Sequence, residues 1–213
     1  MLGVQAIKNM TKSQPSGVKD RILKAAKELF ISKGFAGTSI RDIASASDSN
    51  VAHVKYYFQS KANLFEIIFD EAFDILINRV SATITSDLPI EEMIERWITT
   101  YFELLPHYPQ IPMFVLSEIN HSPDALVNKI ARKNPEKIFN RLSERMEEEI
   151  KKGTIRPVPV FDLGLNILSL CMFPFMFSGF ATRTVGISRS EYNALVANHK
   201  QHVVDFVLRA LKP

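Results

Sequence analysis

Residues 21–61 read RILKAAKELFISKGFAGTSIRDIASASDSNVAHVKYYFQSK, three short helices with their punctuation and the cap of a fourth. Ile22, Ala25, Ala26 and Leu29 recur at helical spacing, and Gly34 closes this first helix, where a left-handed residue is cheap. Thr38 is placed to cap a second helix whose buried face is Ile40, Ile43 and Ala44. The turn Ser47-Asp48-Ser49 leads to Asn50, a cap for a third helix reaching Tyr57, and Ser60 caps the next. Two short helices joined by a tight turn and braced by a third form a helix-turn-helix, and the second helix of such a pair enters the DNA major groove.

After Lys61 the chain reads as helical throughout, with no alternating run bounded by glycine turns. A long helix over 60–85 turns Leu64, Ile67, Ile68, Phe73 and Leu76 inward. Another, over 89–105, aligns Met93, Ile94, Trp97, Ile98, Tyr101 and Leu105 on one face. Pro106, Pro109 and Pro112 punctuate, and a short helix covers 111–120. Ser122-Pro123-Asp124 is a start signal, and Asn134-Pro135 breaks or kinks the helix it begins. A charged amphipathic helix from Glu136 to Lys152 closes at Gly153, and two long helices, 161–184 and 189–211, finish the chain. The fold class is all-α: a flexible arm over 1–15, a three-helix helix-turn-helix domain over 16–60, and a larger helical domain over 61–213.

Charge is divided along the chain. Residues 1–61 hold ten Lys or Arg against four Asp or Glu, net +6, and the remainder is net −3. A basic front on an acidic body suits a polyanion at the front only. Cys171 is the single cysteine, so no disulfide framework or cysteine metal cluster is expected, and the histidines show no metal-ligand spacing. No Gly-rich phosphate loop or nucleophile elbow appears, and Glu91/Glu92/Glu95 and Glu147/Glu148/Glu149 read as solvated helix faces, so neither enzyme nor cofactor is expected. The N-terminus has no signal-peptide pattern, which makes a cytoplasmic location the expectation.

Residues 163–182, LGLNILSLCMFPFMFSGFAT, carry no charge and are long enough to span a bilayer. Asn166, Ser169, Pro174 and Ser178 dilute the run and no basic or aromatic belt flanks it, so it reads instead as a helix buried on all sides. One modest core does not cover such a helix. A second subunit does, with Tyr192, Leu195, Val196, Val203, Val207 and Leu211 along the last helix completing a four-helix bundle.

The words KAAKELFISKGFAGTSIRDIA and NVAHVKYYFQSKANLF resemble the TetR/AcrR family of bacterial transcriptional regulators, over about fifty residues in which caps, buried positions and a YYF-x-SK ending recur together. Asp48 departs from the family's usual Gly in the turn. Asp tolerates a left-handed conformation, so the turn is expected to hold, with a negative charge placed near the DNA. The resemblance and the helix geometry point to the same contacts with double-stranded operator DNA. Val54 and Phe58 face inward. Val51, Ala52, His53, Lys55 and Tyr56, beyond the cap Asn50, face the groove. Val51 and Ala52 suit a thymine methyl, and His53 and Lys55 can donate to purine acceptors, each worth about 1–3 kcal/mol of discrimination. Thr38, Tyr57 and Lys61 are read as phosphate ligands. The resemblance further implies a repressor that binds a palindromic operator as a homodimer through 161–184 and 189–211, and that a small apolar or amphipathic effector releases. Candidates to line the effector site are Trp97, Tyr101, Phe102, Met113, Phe114, Met172, Phe173, Met176 and Phe177, because Met and aromatic side chains suit adaptable apolar pockets.

Overall fold

The computed structural model describes residues 17–213 except 110 and 122, and among them there is no strand. The expected arm over 1–15 and Ser122 of the start signal lie outside the described residues. The described residues run through ten α-helices. These are α1 Val18–Lys33, α2 Ile40–Ala46, α3 Val51–Phe58, α4 Lys61–Ile84, α5 Ile90–Leu104, α6 Ile111–His121, α7 Pro123–Ala131, α8 Pro135–Lys152, α9 Val160–Thr184 and α10 Arg189–Leu211. The chain packs as two units, Met1–Asp70 and Glu71–Pro213, and the division falls inside α4.

In the first unit α1, α2 and α3 pack pairwise. Their shared core is Ile22, Ala26, Phe30, Ile43, Ala44, Val54 and Phe58, joined by Leu64 and Ile68 from the first turns of α4. Burying each large side chain here is worth about 1.5–3 kcal/mol. That matters because α2 has seven residues and α3 eight, too short to persist alone. The cap of α2 is Ser39 rather than the expected Thr38. The Ser39 hydroxyl accepts the Asp42 N–H at 3.1 Å, and the Asp42 carboxylate accepts the Ser39 N–H at 2.8 Å. A capping box needs its acidic or amide partner three residues on, and Asp42 satisfies that spacing for Ser39 only.

In the second unit α9 and α10 pack on each other and on α5, α9 also meets α6 and α8, and α5 meets α8. Asn134, at φ 52°, and Pro135 stop α7 and start α8, and Gly153 at φ 72° ends it. The Arg145 guanidinium holds the loop ahead of α5, donating to the Ser86 carbonyl at 2.7 Å and to the Leu88 carbonyl. Ile67, expected inward, is exposed, because the buried stripe of α4 runs through Leu64, Ile68, Phe69, Ala72 and Phe73, and Ile67 lies at its margin.

Within one chain α9 has one covered face and one open face, as expected of a helix that a single core does not cover. Leu163, Ile167, Cys171 and Ala181 are buried, whereas Phe161, Leu165, Leu168, Phe173 and Phe180 are exposed. The helix is long and apolar enough to cross a membrane, with mean hydropathy 1.8 over its most apolar window, of which 17% is buried. On α10 the inward face is Tyr192, Val203, Val204, Val207 and Leu211, and the outward apolar residues are Leu195 and Phe206. Val203 and Val207 therefore belong to the subunit's own core and not to an outer face.

Candidate nucleic-acid interface

Asn50 starts α3 by accepting the His53 N–H on its side-chain oxygen at 2.7 Å. Val54 and Phe58, each 1% exposed and four residues apart, fix one side of the helix in the core. Ala52, His53, Lys55, Tyr56 and Tyr57 are exposed and Val51 is half-buried. Tyr56 is 80% exposed, so its ring does not pack into the unit; it forms a T-shaped pair with Tyr57, with centroids 5.1 Å apart. A short, doubly anchored helix thus presents a methyl, an imidazole, an ammonium and a phenol on its outward side. These are groups that can touch a thymine methyl or donate to base edges.

Three features position that helix. The Ser47 hydroxyl is buried, donates to the Ile43 carbonyl at 2.7 Å and pairs with the Ser49 hydroxyl at 2.8 Å. Arg21 of α1 donates from Nε to the Ser47 carbonyl at 3.2 Å. Asp48 sits at φ 48°, the left-handed conformation the turn needs. Sequence reasoning missed Ser47 and Arg21, since a serine in a polar turn and a surface arginine carry no local signal of a long-range bond.

Thr38 and Lys61 occupy places their sequence positions did not disclose. Thr38 is 2% exposed and donates its hydroxyl to the Leu29 and Gly34 carbonyls at 3.2 and 2.8 Å. The Lys61 ammonium donates to the Phe35 and Thr38 carbonyls at 2.9 and 3.0 Å and lies 4.1 Å from the centroid of the Phe35 ring. An ammonium has three protons, so one remains for an outside acceptor. Hydrogen bonds from Ser39 hold the Asp42 carboxyl below its ordinary pKa, keeping an anion at the positive end of α2.

The expected effector residues separate into two groups. Trp97, Tyr101 and Phe102 of α5 are buried. On α9, Met172, Met176 and Phe177 are half-buried and Phe173 is exposed; on α6, Met113 is exposed and Phe114 half-buried. Phe173 stacks on Phe177 at 5.5 Å and Phe177 meets exposed Phe180 at 5.0 Å, an aromatic row running to the outer face. Phe102 instead faces Phe175 at 5.9 Å and His199 at 6.3 Å. A surface groove of about 480 Å³ is lined by His202, Asp205, Phe206, Arg209 and Ala210. Another, of about 640 Å³, is lined by residues that include Thr85, Glu136, Lys137 and Arg141. Neither groove includes the expected effector residues.

Residues 22–68 match the sequence pattern of the bacterial regulatory proteins, tetR family. The chain is 32% identical over 164 residues to the probable HTH-type transcriptional regulator YttP of Bacillus subtilis strain 168, covering 74% of this chain and 77% of that protein. Its structure is similar to that of the ketosteroid transcriptional regulator KstR2 of Mycobacterium tuberculosis, with TM-score 0.66, 17% identity, and 94% and 97% of the two chains covered. It is also similar to the TetR family transcriptional regulator PfmR of Thermus thermophilus, with TM-score 0.62, 24% identity, and 91% and 100% covered.

Proposed function

Because the chain belongs to the TetR family of bacterial regulatory proteins, we propose that it represses transcription as a homodimer on a palindromic operator and lets go when a small apolar or amphipathic molecule enters its second unit. The chain is a DNA-binding transcriptional regulator and works in the cytoplasm, where its operator is. The observation that carries the DNA contacts is the outward side of α3, where exposed Ala52, His53, Lys55 and Tyr56 stand opposite the buried anchors Val54 and Phe58. His53 and Lys55 read bases. Lys61 offers its remaining proton to a phosphate, and Tyr57 its hydroxyl. Thr38, with its hydroxyl turned inward, positions Lys61 rather than touching DNA.

The dimer reading rests on the exposed apolar faces of α9 and α10. Phe161, Leu165, Phe173, Phe180, Leu195 and Phe206 are all at least half exposed in one chain, large apolar side chains that a second subunit would cover. His202, Asp205 and Arg209 border Phe206 on α10, and an apolar centre with a polar rim suits a protein partner better than lipid. A two-fold dimer would set its two recognition helices about 34–36 Å apart, one DNA turn, or a multiple of that.

The test is a binding-site selection with the wild type and with His53→Ala. The wild type is expected to enrich a palindrome, and the variant to relax preference at one base position in each half-site. Selection of the same site with the same stringency by both proteins would remove His53 from the reading set.

A further inference from the structure

The groove of about 480 Å³ is lined by His202, Asp205, Phe206, Arg209 and Ala210, which stand on one helix, α10. Their spacing is that of a single helical face, so α10 carries an outer stripe beside the inner one of Val203, Val204, Val207 and Leu211. Phe206, in the middle of the outer stripe, is 64% exposed. The C-terminal end of the stripe is held in place from the α8–α9 loop. There the Arg156 N–H donates to the Leu211 carbonyl at 2.9 Å, and Arg156 Nε donates to the Ala210 carbonyl.

Two pairs in this stripe are asymmetric. Asp205 and Arg209 stand one turn apart with opposite charges, and Phe206 and Ala210 stand one turn apart with a large and a small side chain. Within the chain the Asp205 carboxylate accepts Gln201 Nε2 at 3.0 Å and does not pair with Arg209. Among the described residues the Arg209 guanidinium has no ion-pair partner, so its planar fork of donors stays open at the groove.

A two-fold contact repeats each pairing in both directions: if residue i meets j, then j meets i. A parallel pairing of two copies of α10 would set Asp205 on the partner's Asp205 and Arg209 on the partner's Arg209, like charge on like. An antiparallel pairing, with the axis crossing between Val207 and Leu208, sets Asp205 and Phe206 over the partner's Arg209 and the partner's Ala210, and the same again in reverse. Acid then meets base twice, and each phenyl ring enters the gap beside a methyl group.

From this stripe we infer that α10 packs antiparallel on α10 of a second copy, in a register set by Asp205 against the partner's Arg209, and that this crossed ion pair makes the chain select its own copy. The inference rests on the homodimer reading and gives it an orientation, a register and a rule for choosing partners. A surface ion pair adds little affinity. Its worth here lies in exclusion, because a chain with one sign of charge at both places would bring acid on acid or base on base beside a covered ring.

The experiment uses the full chain and two charge reversals, Asp205→Arg and Arg209→Asp, each checked by circular dichroism. Sedimentation velocity over a dilution series reads the dissociation constant. Each variant alone is expected to dimerise about tenfold more weakly than wild type, because two attractions become two repulsions. Mixed in equal amounts, with one variant labelled with heavy nitrogen, they are expected to pair with each other. Native mass spectrometry should then show the heterodimer well above its share in random mixing. Each chain of the mixture still holds like charges one turn apart, so the recovery comes only from across the interface. The double variant Asp205→Arg/Arg209→Asp exchanges both charges and should dimerise as wild type does; where a single reversal loses its helical spectrum, the double variant decides. Single reversals as tight as wild type, a random mixture, or a folded double variant as weak as the single reversals would overturn the register and leave the homodimer reading standing. A wild type that is monomeric at micromolar concentration would remove the homodimer reading and the register with it.

Discussion

Gln59 carries φ 61° and ψ −53°, and the Ser60 N–H donates back to the Phe58 carbonyl at 2.6 Å. That is a tight three-residue γ-turn, strained for any residue with a Cβ, and it joins the end of α3 to the start of α4. Gln59→Gly is expected to relieve more strain than the added freedom of glycine costs, raising stability by about 1 kcal/mol, readable as a higher midpoint in denaturant with an unchanged slope. Two residues on, Lys61 holds the carbonyls of Phe35 and Thr38. Lys61→Met keeps the stem and removes the donors. It should cost about 1 kcal/mol of stability and weaken binding to every DNA sequence alike, with a salt slope shallower by about one. A stable variant with an unchanged salt slope would show that Lys61 neither braces the turn nor meets a phosphate.

At the level of elements, the two last helices each have an inner and an outer apolar face, and the faces make opposite predictions. Val203 and Val207 are 1% and 3% exposed, inside the subunit. A charge at either, as in Val203→Asp, should cost several kcal/mol and unfold the chain, seen as lost helical circular dichroism. Phe206 is 64% exposed, so Phe206→Glu should leave the helical spectrum intact and, by light scattering, convert the proposed dimer to monomer. A Phe206→Glu protein that stays dimeric would move the interface off this face of α10. The same inner and outer division governs α3, whose anchors Val54 and Phe58 are replaceable only at the expense of the core.

For the whole molecule, the expectation is a coupling between effector and operator. The division between the units lies within α4, so that helix belongs to both. A coupling of about 1–3 kcal/mol would lower operator affinity about 5–150-fold, and by reciprocity operator DNA would lower effector affinity by the same factor. Titrating operator with and without a bound ligand, and ligand with and without operator, measures both factors. Unequal factors would point to an added equilibrium such as dimer dissociation. An operator affinity unmoved by every ligand of the second unit would leave a constitutive DNA-binding dimer.

The sequence by itself determined the helices, their order and the helix-turn-helix, because these follow from local signals: caps such as Asn50 and Ser60, stops such as Gly34 and Gly153, and apolar spacing. It also determined which side of α3 is anchored, since Val54 and Phe58 stand one turn apart. Only the tertiary structure decided what depends on residues distant in the chain. It put the hydroxyl of Thr38 inward and spent two protons of Lys61 on carbonyls 26 and 23 residues away. It chose the inner and outer faces of α9 and α10, where apolar residues stand on every side and periodicity therefore selects none.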